Sequence, residues 1–421
     1  MRLLVFGAGN IGRSFVGQLF ARAGYEVIFV DVNPTLVEAL NRERRYRIEI
    51  KDRQSQTIWI EGVSAIDGRS VEDVARAITE ADVIATAVGQ GALPYIYPVL
   101  AAGLARRREQ GRGPVDIIIC ENLRNAAEAF DHGLRQHLPA DFPLGQYVGL
   151  VETSIGKMVP IMPESALRED PLVLYAEAYN TLILDATAFR NPIPDVPGLD
   201  PKQNMAAYVD RKAFIHNLGH AACAYLEFAV DPGAQYIWQA VENPAVRTAA
   251  KTAMWESGKS LIRRYPGEFT EASQEEHIED LLSRFGNRAL GDTIYRVGRD
   301  LPRKLSREDR LVGALLMDSA EGVPAPATAL AFAAALFFEA KDEKGEPFPA
   351  DRDFLQMLAE NGFHAIVKHV CGLRDSVLAE AKIIEAARAG YMRLQSRGEG
   401  WLGAFVVKMR PLDGHDARES A

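Results

Sequence analysis

The feature that most constrains this chain is a glycine pattern at its start. The apolar run Arg2–Phe6 leads into Gly7-Ala8-Gly9-Asn10-Ile11-Gly12-Arg13, and residues 11–22 continue with helical periodicity. Each glycine has a separate job in a strand-to-helix turn of this kind. Gly7 allows the tight turn, Gly9 lets the backbone approach a pyrophosphate, and Gly12 lets the helix pack close to the strand. The helix N-terminus then faces the anion with its free N–H groups and positive dipole end. A glycine triplet alone is a weak signal, because glycine-rich turns are common. Here it stands between a strand and a helix, and Asp31 follows at the end of the next apolar run, 19 residues beyond Gly12. An acid at that place accepts hydrogen bonds from a ribose 2′-hydroxyl and repels a 2′-phosphate, which points to NAD rather than NADP. The cofactor candidates are Gly7, Gly9, Asn10, Ile11, Gly12 and Asp31. Thr86-Ala87-Val88-Gly89 ends another apolar run and adds Thr86, Val88 and Gly89, where the far half of the dinucleotide should pass. The competing reading is a purely structural turn, with Asp31 as a helix cap.

The same alternation runs on. Residues 2–6, 27–30, 83–88, 116–120 and 147–151 read as buried strands. Residues 11–22, 34–43, 71–78, 93–108 and 125–137 read as helices between them. Strand and helix in strict alternation imply an α/β fold, a Rossmann-like doubly wound parallel sheet covered on both faces. Residues 46–51 and 56–60 form an expected hairpin inserted into that order. A proline-rich break at residues 191–198 reads as an interdomain connection. Beyond it come long alanine-rich segments with 3.6-residue periodicity: 204–228, 244–263, 274–285, 309–321, 326–339, 351–360, 362–369 and 375–393. The expected division is a sheet domain over 1–190, a mainly α-helical domain over 199–395, and a C-terminal extension over 396–421 that is disordered from Asp413 onward.

Composition narrows the function classes. The chain has 421 residues and a net charge of −9, which argues against general binding to nucleic-acid phosphates. Its three cysteines, Cys120, Cys223 and Cys371, are odd in number and far apart, so a reducing compartment fits better than a disulfide framework. The longest apolar stretch, residues 327–338, falls short of the roughly 20 residues of a membrane span, and the first residues lack a signal-peptide core. A cytoplasmic protein that binds neither membrane nor nucleic acid is expected.

The chemistry is sought in the first helix of the second half, Arg211-Lys212-Ala213-Phe214-Ile215-His216-Asn217-Leu218-Gly219-His220. At 100° per residue, Lys212, His216, His220 and Asn217 fall at about 0°, 40°, 80° and 140°, opposite Phe214, Leu218, Ala221, Ala222 and Tyr225. One face packs, and the other offers an amine, two imidazoles and a carboxamide, or is simply a solvated face. His216 and His220 at i, i+4 also suit a metal, but Asn217 stands where a metalloprotease helix needs Glu, and no further ligand is evident. No metal is expected.

With these residues in view, the chain resembles the polyol-specific long-chain dehydrogenases, the mannitol dehydrogenase family, over roughly residues 1 to 390. The resemblance rests on Gly7–Arg13, Val30-Asp31-Val32-Asn33, Thr86–Gly89, Cys120-Glu121-Asn122, and the spacing of Lys212, Asn217 and His220. It extends through Arg284-Phe285-Gly286-Asn287, Arg296-Val297-Gly298-Arg299 and Arg303-Lys304-Leu305. It implies Lys212 as the general base, Asn217 and His220 as groups that position substrate and base, Asn122 as a second carboxamide near the reacting oxygen, and Lys304 as a substrate-site lysine. It leaves His216 without a role. Where relatives carry Val-Asp-Arg, this chain has Ile155-Gly156-Lys157, so an acid near the nicotinamide end is missing.

Between Arg296 and Arg310 lie six cations, Arg296, Arg299, Arg303, Lys304, Arg307 and Arg310, against Asp300, Glu308 and Asp309. Such a concentration suits a phosphate monoester, gripped bidentately by Arg and as a point charge by Lys, or else a surface loop paired with its neighbouring acids. Arg296, Arg299, Arg303 and Lys304 are the substrate candidates. Together with the resemblance they imply NAD-dependent interconversion of D-mannitol 1-phosphate and D-fructose 6-phosphate. A non-phosphorylated polyol or a hexuronate is the alternative substrate, and an NAD(H) sensor without turnover is the alternative class.

Overall fold

A computed structural model describes every residue except 53, 54, 161, 397, 399 and 410–421. The chain divides into two compact units, Met1–Lys212 and Ala213–Ala421. In the first, β-branched runs alternate with helices, and among the described residues eleven strands build two sheets. They are β1 (Arg2–Phe6), β2 (Glu26–Asp31), β3 (Arg45–Ile50), β4 (Gln56–Glu61), β5 (Val63–Asp67), β6 (Val83–Thr86), β7 (Val115–Ile119), β8 (Val148–Ser154), β9 (Leu174–Ala176), β10 (Leu182–Asp185) and β11 (Leu199–Lys202). The main sheet runs β5-β2-β1-β6-β7-β8-β10-β11, and β3 carries β4 and β9 in a small second sheet. From β5 to β8 every pairing is parallel, and β10 joins β8 antiparallel.

The order reverses direction between β1 and β6, whose ends pair through Phe6 and Thr86. In doubly wound sheets the crevice opens at this reversal, outside the carboxyl ends of the strands. The glycine turn and the Thr86–Gly89 turn both leave the sheet there. Val5, Phe15, Phe20 and Phe29 form the core on one face, and Phe6, Ile78, Leu100 and Phe130 on the other. That two-sided burial explains why the strands read as continuous apolar runs.

The structure adds two details to the sequence reading. The proline-rich segment 191–198 lies between β10 and β11, which pair with each other in the main sheet, and the compact unit extends to Lys212. The expected hairpin is present, with Tyr46 opposite Ile60, but β9 extends it into a three-stranded sheet.

The second unit is helical. Leu218–Val230 and Pro326–Ala335 are buried on nearly all sides, as their alanine and leucine content allows, and Pro244–Arg264 and Leu378–Gln395 pack among them. Gly362 breaks Pro349–His369 with φ 74°, matching the two separate helices expected there. Trp401–Met409 is an additional helix in the C-terminal extension, while the expectation for Asp413 onward lies outside the described residues. No described helix is long and apolar enough to cross a membrane.

Two acids are buried in this unit. Both Glu256 oxygens accept backbone N–H groups at the start of Pro326–Ala335, from Ala327 and Thr328 at 2.9 Å each. Asp318 accepts the Ser260 hydroxyl at 2.6 Å. Burial pushes the Glu256 carboxyl up to about 7 and the Asp318 carboxyl up to about 8, the latter helped by the Glu256 charge. Unfolded carboxyls titrate near 4. The folded state therefore holds more protons between these values, and stability falls as pH rises through that window. Asp318→Asn keeps a polar partner for Ser260 but cannot ionise. Its melting temperature should drop less between pH 6 and pH 9 than that of the unmodified protein, a difference on the order of a few kcal/mol at pH 9. Equal drops in thermal melts would contradict this assignment.

Candidate functional site

The glycines of the first turn separate structural need from ligand need. A Cβ on Gly7, which has φ +95°, would lie 2.4 Å from the Ala87 carbonyl oxygen, and one on Gly12 would lie 1.9 Å from the Gly7 carbonyl oxygen. Both are therefore required by the fold itself. A Cβ on Gly9 meets no atom within 4 Å, and Gly9 is exposed. The open backbone at Gly9 is the shape a pyrophosphate would fit. Asn10 is exposed beside it, and Ile11 is partly buried against the core. Residues 12–17 form a π-helix rather than the expected α-turns, a local widening frequent at functional sites.

Buried charges hold these turns in place. Asp31 accepts from Ala8 N at 2.8 Å and from Asn33 N at 2.9 Å, one bond on each carboxylate oxygen. It thus ties the glycine turn to the end of β2, while the cap of the next helix is Asn33, whose side chain accepts from Leu36 N, and not Asp31. Each Asp31 oxygen keeps a lone pair for a ribose hydroxyl. The buried Arg13 guanidinium donates to the carbonyls of Ala8 and Leu172 at 2.6 and 2.7 Å, and Tyr46 donates its hydroxyl to the Arg13 carbonyl. Thr86 is fully buried at the end of β6, and Val88 and Gly89 follow on the turn. Glu121, 4% exposed, receives Val88 N and Gly89 N at 2.9 Å each. Burial raises its pKa and the two backbone bonds oppose the shift. The sequence reading quoted Glu121 in a motif without giving it a role.

Next along the chain, Asn122 leaves β7 with its side chain exposed, and its Oδ1 accepts from Lys212 Nζ at 2.7 Å. Around this pair, Arg124 bonds Asp210 at 2.5 Å, and Ser154 donates its hydroxyl to the Tyr208 carbonyl at 3.3 Å. These bonds fasten Met205–Arg211 over the carboxyl ends of β7 and β8, so the structure brings two sequence candidates, Lys212 and Asn122, into direct contact. At Gly156, where the resemblance implies an acid, a Cβ would lie 3.4 Å from the Tyr179 ring, at ordinary contact distance. Lys157 is buried and donates to Asn180 Oδ1 at 3.0 Å.

Lys212 opens a second π-helix, Lys212–Asn217. Its i→i+5 bonding widens the turn beyond 3.6 residues, so the 140° offset calculated for Asn217 on an α-helix does not apply. Nor is this a solvated face: His216 is buried against Phe285, with ring centroids 5.7 Å apart, and Lys212, Asn217 and His220 are partly buried.

In the second unit His220 stacks on Phe285 at 4.6 Å, with ring planes 5° apart. Its Nε2 lies 2.9 Å from Asp292 Oδ2. The Arg296 Nε and Nη2 atoms each lie 2.6 Å from Asp292 Oδ1. Burial lowers the pKa of His220, with Asp292 opposing. Burial works against ionisation of Asp292, and His220 and Arg296 more than offset it, leaving the carboxyl well below the usual range. Asp292 was not among the sequence candidates. Its i, i+4 spacing from Arg296 was legible, while its contact with His220 is long-range.

The cation cluster is largely paired internally. Besides Arg296 with Asp292, Arg303 meets Asp300 and Asp309, Arg307 meets Glu380, and Arg310 meets Asp309. Lys304 is 4% exposed, donates to the carbonyls of Val297 and Arg299, and is pushed well below the ordinary lysine range by burial. Arg299 differs. Among the described residues its guanidinium has no carboxylate partner and lies 5.4 Å from the ring centroids of both Tyr295 and Phe348.

Comparison with known proteins adds two findings. The family model described as the mannitol dehydrogenase Rossmann domain matches residues 1–198, and that of the mannitol dehydrogenase C-terminal domain matches residues 204–388. Among solved structures, Pseudomonas fluorescens mannitol 2-dehydrogenase, in a ternary complex with NAD and D-mannitol, superposes with a TM-score of 0.77. It is 16% identical, over 97% of this chain and 94% of that one. A substrate-free D-sorbitol dehydrogenase gives 0.75 at 15% identity, over 95% and 94%. At these identities the likeness concerns the fold.

The glycine analysis yields a direct comparison. Gly9→Ala should leave the folding stability within about 0.5 kcal/mol of the unmodified protein and weaken NADH binding about tenfold or more, roughly 1.4 kcal/mol. Gly12→Ala should destabilise by about 1–3 kcal/mol through overpacking. Fluorescence titration with NADH and thermal melts measure both effects, and a Gly9→Ala protein with unchanged NADH affinity would make that turn purely structural.

Proposed function

The chain belongs to the mannitol dehydrogenase family, and from that premise we propose that it is an NAD-dependent dehydrogenase of an acyclic polyol, with Lys212 as general base and a phosphate monoester on its substrate. The observation that carries the reaction class is the 2.7 Å hydrogen bond from Lys212 Nζ to Asn122 Oδ1. It holds an amine and a carboxamide together beside the turn that Glu121 fixes.

Bound NAD supplies the acceptor for the hydride that leaves the carbinol carbon. Neutral Lys212 takes the hydroxyl proton, so the carbon–oxygen bond becomes a carbonyl, and in the reverse direction the protonated amine returns it. With its oxygen engaged by Lys212, the Asn122 amide keeps its two N–H donors, which are assigned to stabilising the oxygen that gains charge. Asn217 and His220 are assigned to orienting substrate and base. Asp31 supports NAD over NADP, because its carboxylate would repel a 2′-phosphate.

Phosphate recognition is assigned to Arg299, the member of the cluster whose guanidinium is braced by two rings and left without an acid. Arg296, Arg303 and Lys304 then shape the surrounding segment through their own partners. D-Mannitol 1-phosphate and D-fructose 6-phosphate are the proposed pair. The internal pairing of the other cations favours a second reading, a non-phosphorylated polyol, which is also the substrate type named for the similar solved structures.

A substrate panel read by NADH absorbance separates the two. Mannitol 1-phosphate should exceed mannitol in kcat/KM, and Arg299→Ala should raise KM for the phosphorylated substrate about 10- to 100-fold, the cost of a lost charged hydrogen bond. Equal efficiency on mannitol would replace the first reading with the second. Lys212→Ala should cut kcat about 100- to 10,000-fold with little change in NADH affinity. Because the base must be neutral for oxidation and charged for reduction, oxidation should gain and reduction should lose rate as pH rises. Near-normal turnover in the alanine variant would remove Lys212 from the chemistry.

A further inference from the structure

Asp292 stands outside every motif discussed above, yet it is the residue on which the His220 ring is fixed. It is 9% exposed. Its two oxygens are divided between two partners: Oδ2 lies 2.9 Å from His220 Nε2, and Oδ1 receives the Arg296 guanidinium at 2.6 Å. The His220 Nε2 and Asp292 Oδ2 atoms are both cut off from solvent and neither makes an aligned hydrogen bond to any group, so their 2.9 Å approach is a close ion-pair contact that only a proton between them makes favourable. Phe285, stacked flat on the imidazole at 4.6 Å, restricts rotation of the ring. A carboxylate held ionised by Arg296 accepts and cannot donate, so the proton between it and the imidazole belongs to Nε2.

We propose that Asp292 is a positioning residue that locks His220 in the Nε2–H tautomer, so that Nδ1 is presented as a hydrogen-bond acceptor for a substrate hydroxyl. The proposal rests on the reading of His220 as a substrate-orienting group and gives it a definite polarity. His220 receives a hydroxyl hydrogen and does not donate to the carbonyl oxygen. In a polyol every carbon bears a hydroxyl, so an acceptor at a fixed place selects one neighbour of the reacting centre by its configuration. The groups that face the imidazole electrostatically are Asp292, which favours its protonation, and Arg296 and Arg310, which oppose it, with the His216 ring 6.3 Å away. Burial and the two cations keep the ring neutral, and a neutral ring must choose a tautomer.

The native protein provides the first test. In histidine-labelled protein, long-range ¹H–¹⁵N spectra distinguish the tautomers, and the His220 signals are identified by their loss in His220→Gln. The expected result at pH 7.5 is a protonated Nε2 and a bare Nδ1. The reverse assignment overturns the proposal. Asp292→Asn supplies the second test. Arg296 retains the amide oxygen, so the amide N–H₂ must face His220 and push the ring to the Nδ1–H tautomer. Tautomer inversion with kcat lowered about tenfold or more, roughly 1.4 kcal/mol in barrier, supports the proposal. An unchanged tautomer overturns it, and so does inversion with undiminished kcat. The spectra do not depend on turnover. If no polyol is oxidised while His220 is Nε2–H, the dehydrogenase reading fails and the Asp292 lock stands; if polyol is oxidised while His220 is Nδ1–H, the lock alone fails.

Discussion

A lysine proposed as a general base requires a partner that fixes its direction without holding it in the charged form, and the hydrogen bond from Lys212 to Asn122 supplies such a partner. A carboxylate in the place of Asn122 would hold the ammonium form, whereas a carboxamide accepts one N–H and leaves the nitrogen able to exchange a proton. Much of the first unit serves this contact. β7 delivers Asn122 at its carboxyl end, and β10 and β11 extend the sheet before the chain turns into Met205–Arg211. The Arg124–Asp210 and Ser154–Tyr208 bonds then fasten that helix where Lys212 begins the π-turn.

Around this contact, buried charges are spent on backbone. Glu121 takes two N–H groups of the Val88–Gly89 turn, Arg13 takes the carbonyls of Ala8 and Leu172, and Lys304 takes those of Val297 and Arg299. An ion in a low-dielectric interior is costly unless its donors or acceptors are satisfied, and a turn held by a satisfied ion resists local opening. The consequence is a division of labour. Lys304, a substrate candidate by resemblance and charge, holds loop carbonyls in this way, while Gly9 and Asn122 are exposed and Arg299 is half-buried, and these are the positions proposed to meet ligands.

What was legible in the sequence follows the same division. The strand–helix alternation, the glycine turn, the hairpin and most long helices could be read because local periodicity and turn chemistry dictate them. The break at Gly362 was legible for the same reason. The short strands β5, β9, β10 and β11 were not, since three to five residues carry too little periodicity, and the prolines of 191–198 gave no sign that β11 pairs with β10. The two π-turns escaped because a period of 3.6 was assumed through Lys212 and Asn217. Lys212 and His220 were nominated by their spacing on one helix and, with Asn122, by the family resemblance. Asp292 and Glu121 act through contacts with residues distant in sequence or with backbone, and neither kind leaves a local pattern. The cation cluster was visible as a run, but which of its members has a partner depends on the neighbouring Asp292 and Tyr295 and on Glu380 and Phe348 from distant segments.

The central claim is that Lys212 and Asn122 work as one unit in the chemical step, and a double-mutant cycle tests it most directly. Single-turnover rates of polyol oxidation would be measured in the unmodified protein, in Lys212→Ala, in Asn122→Ala and in the double variant. Residues that act together lose their joint contribution once. The double variant should therefore be about as slow as the slower single variant. Losses that simply multiply would contradict the account, because they would show two residues contributing independently despite the 2.7 Å bond between them.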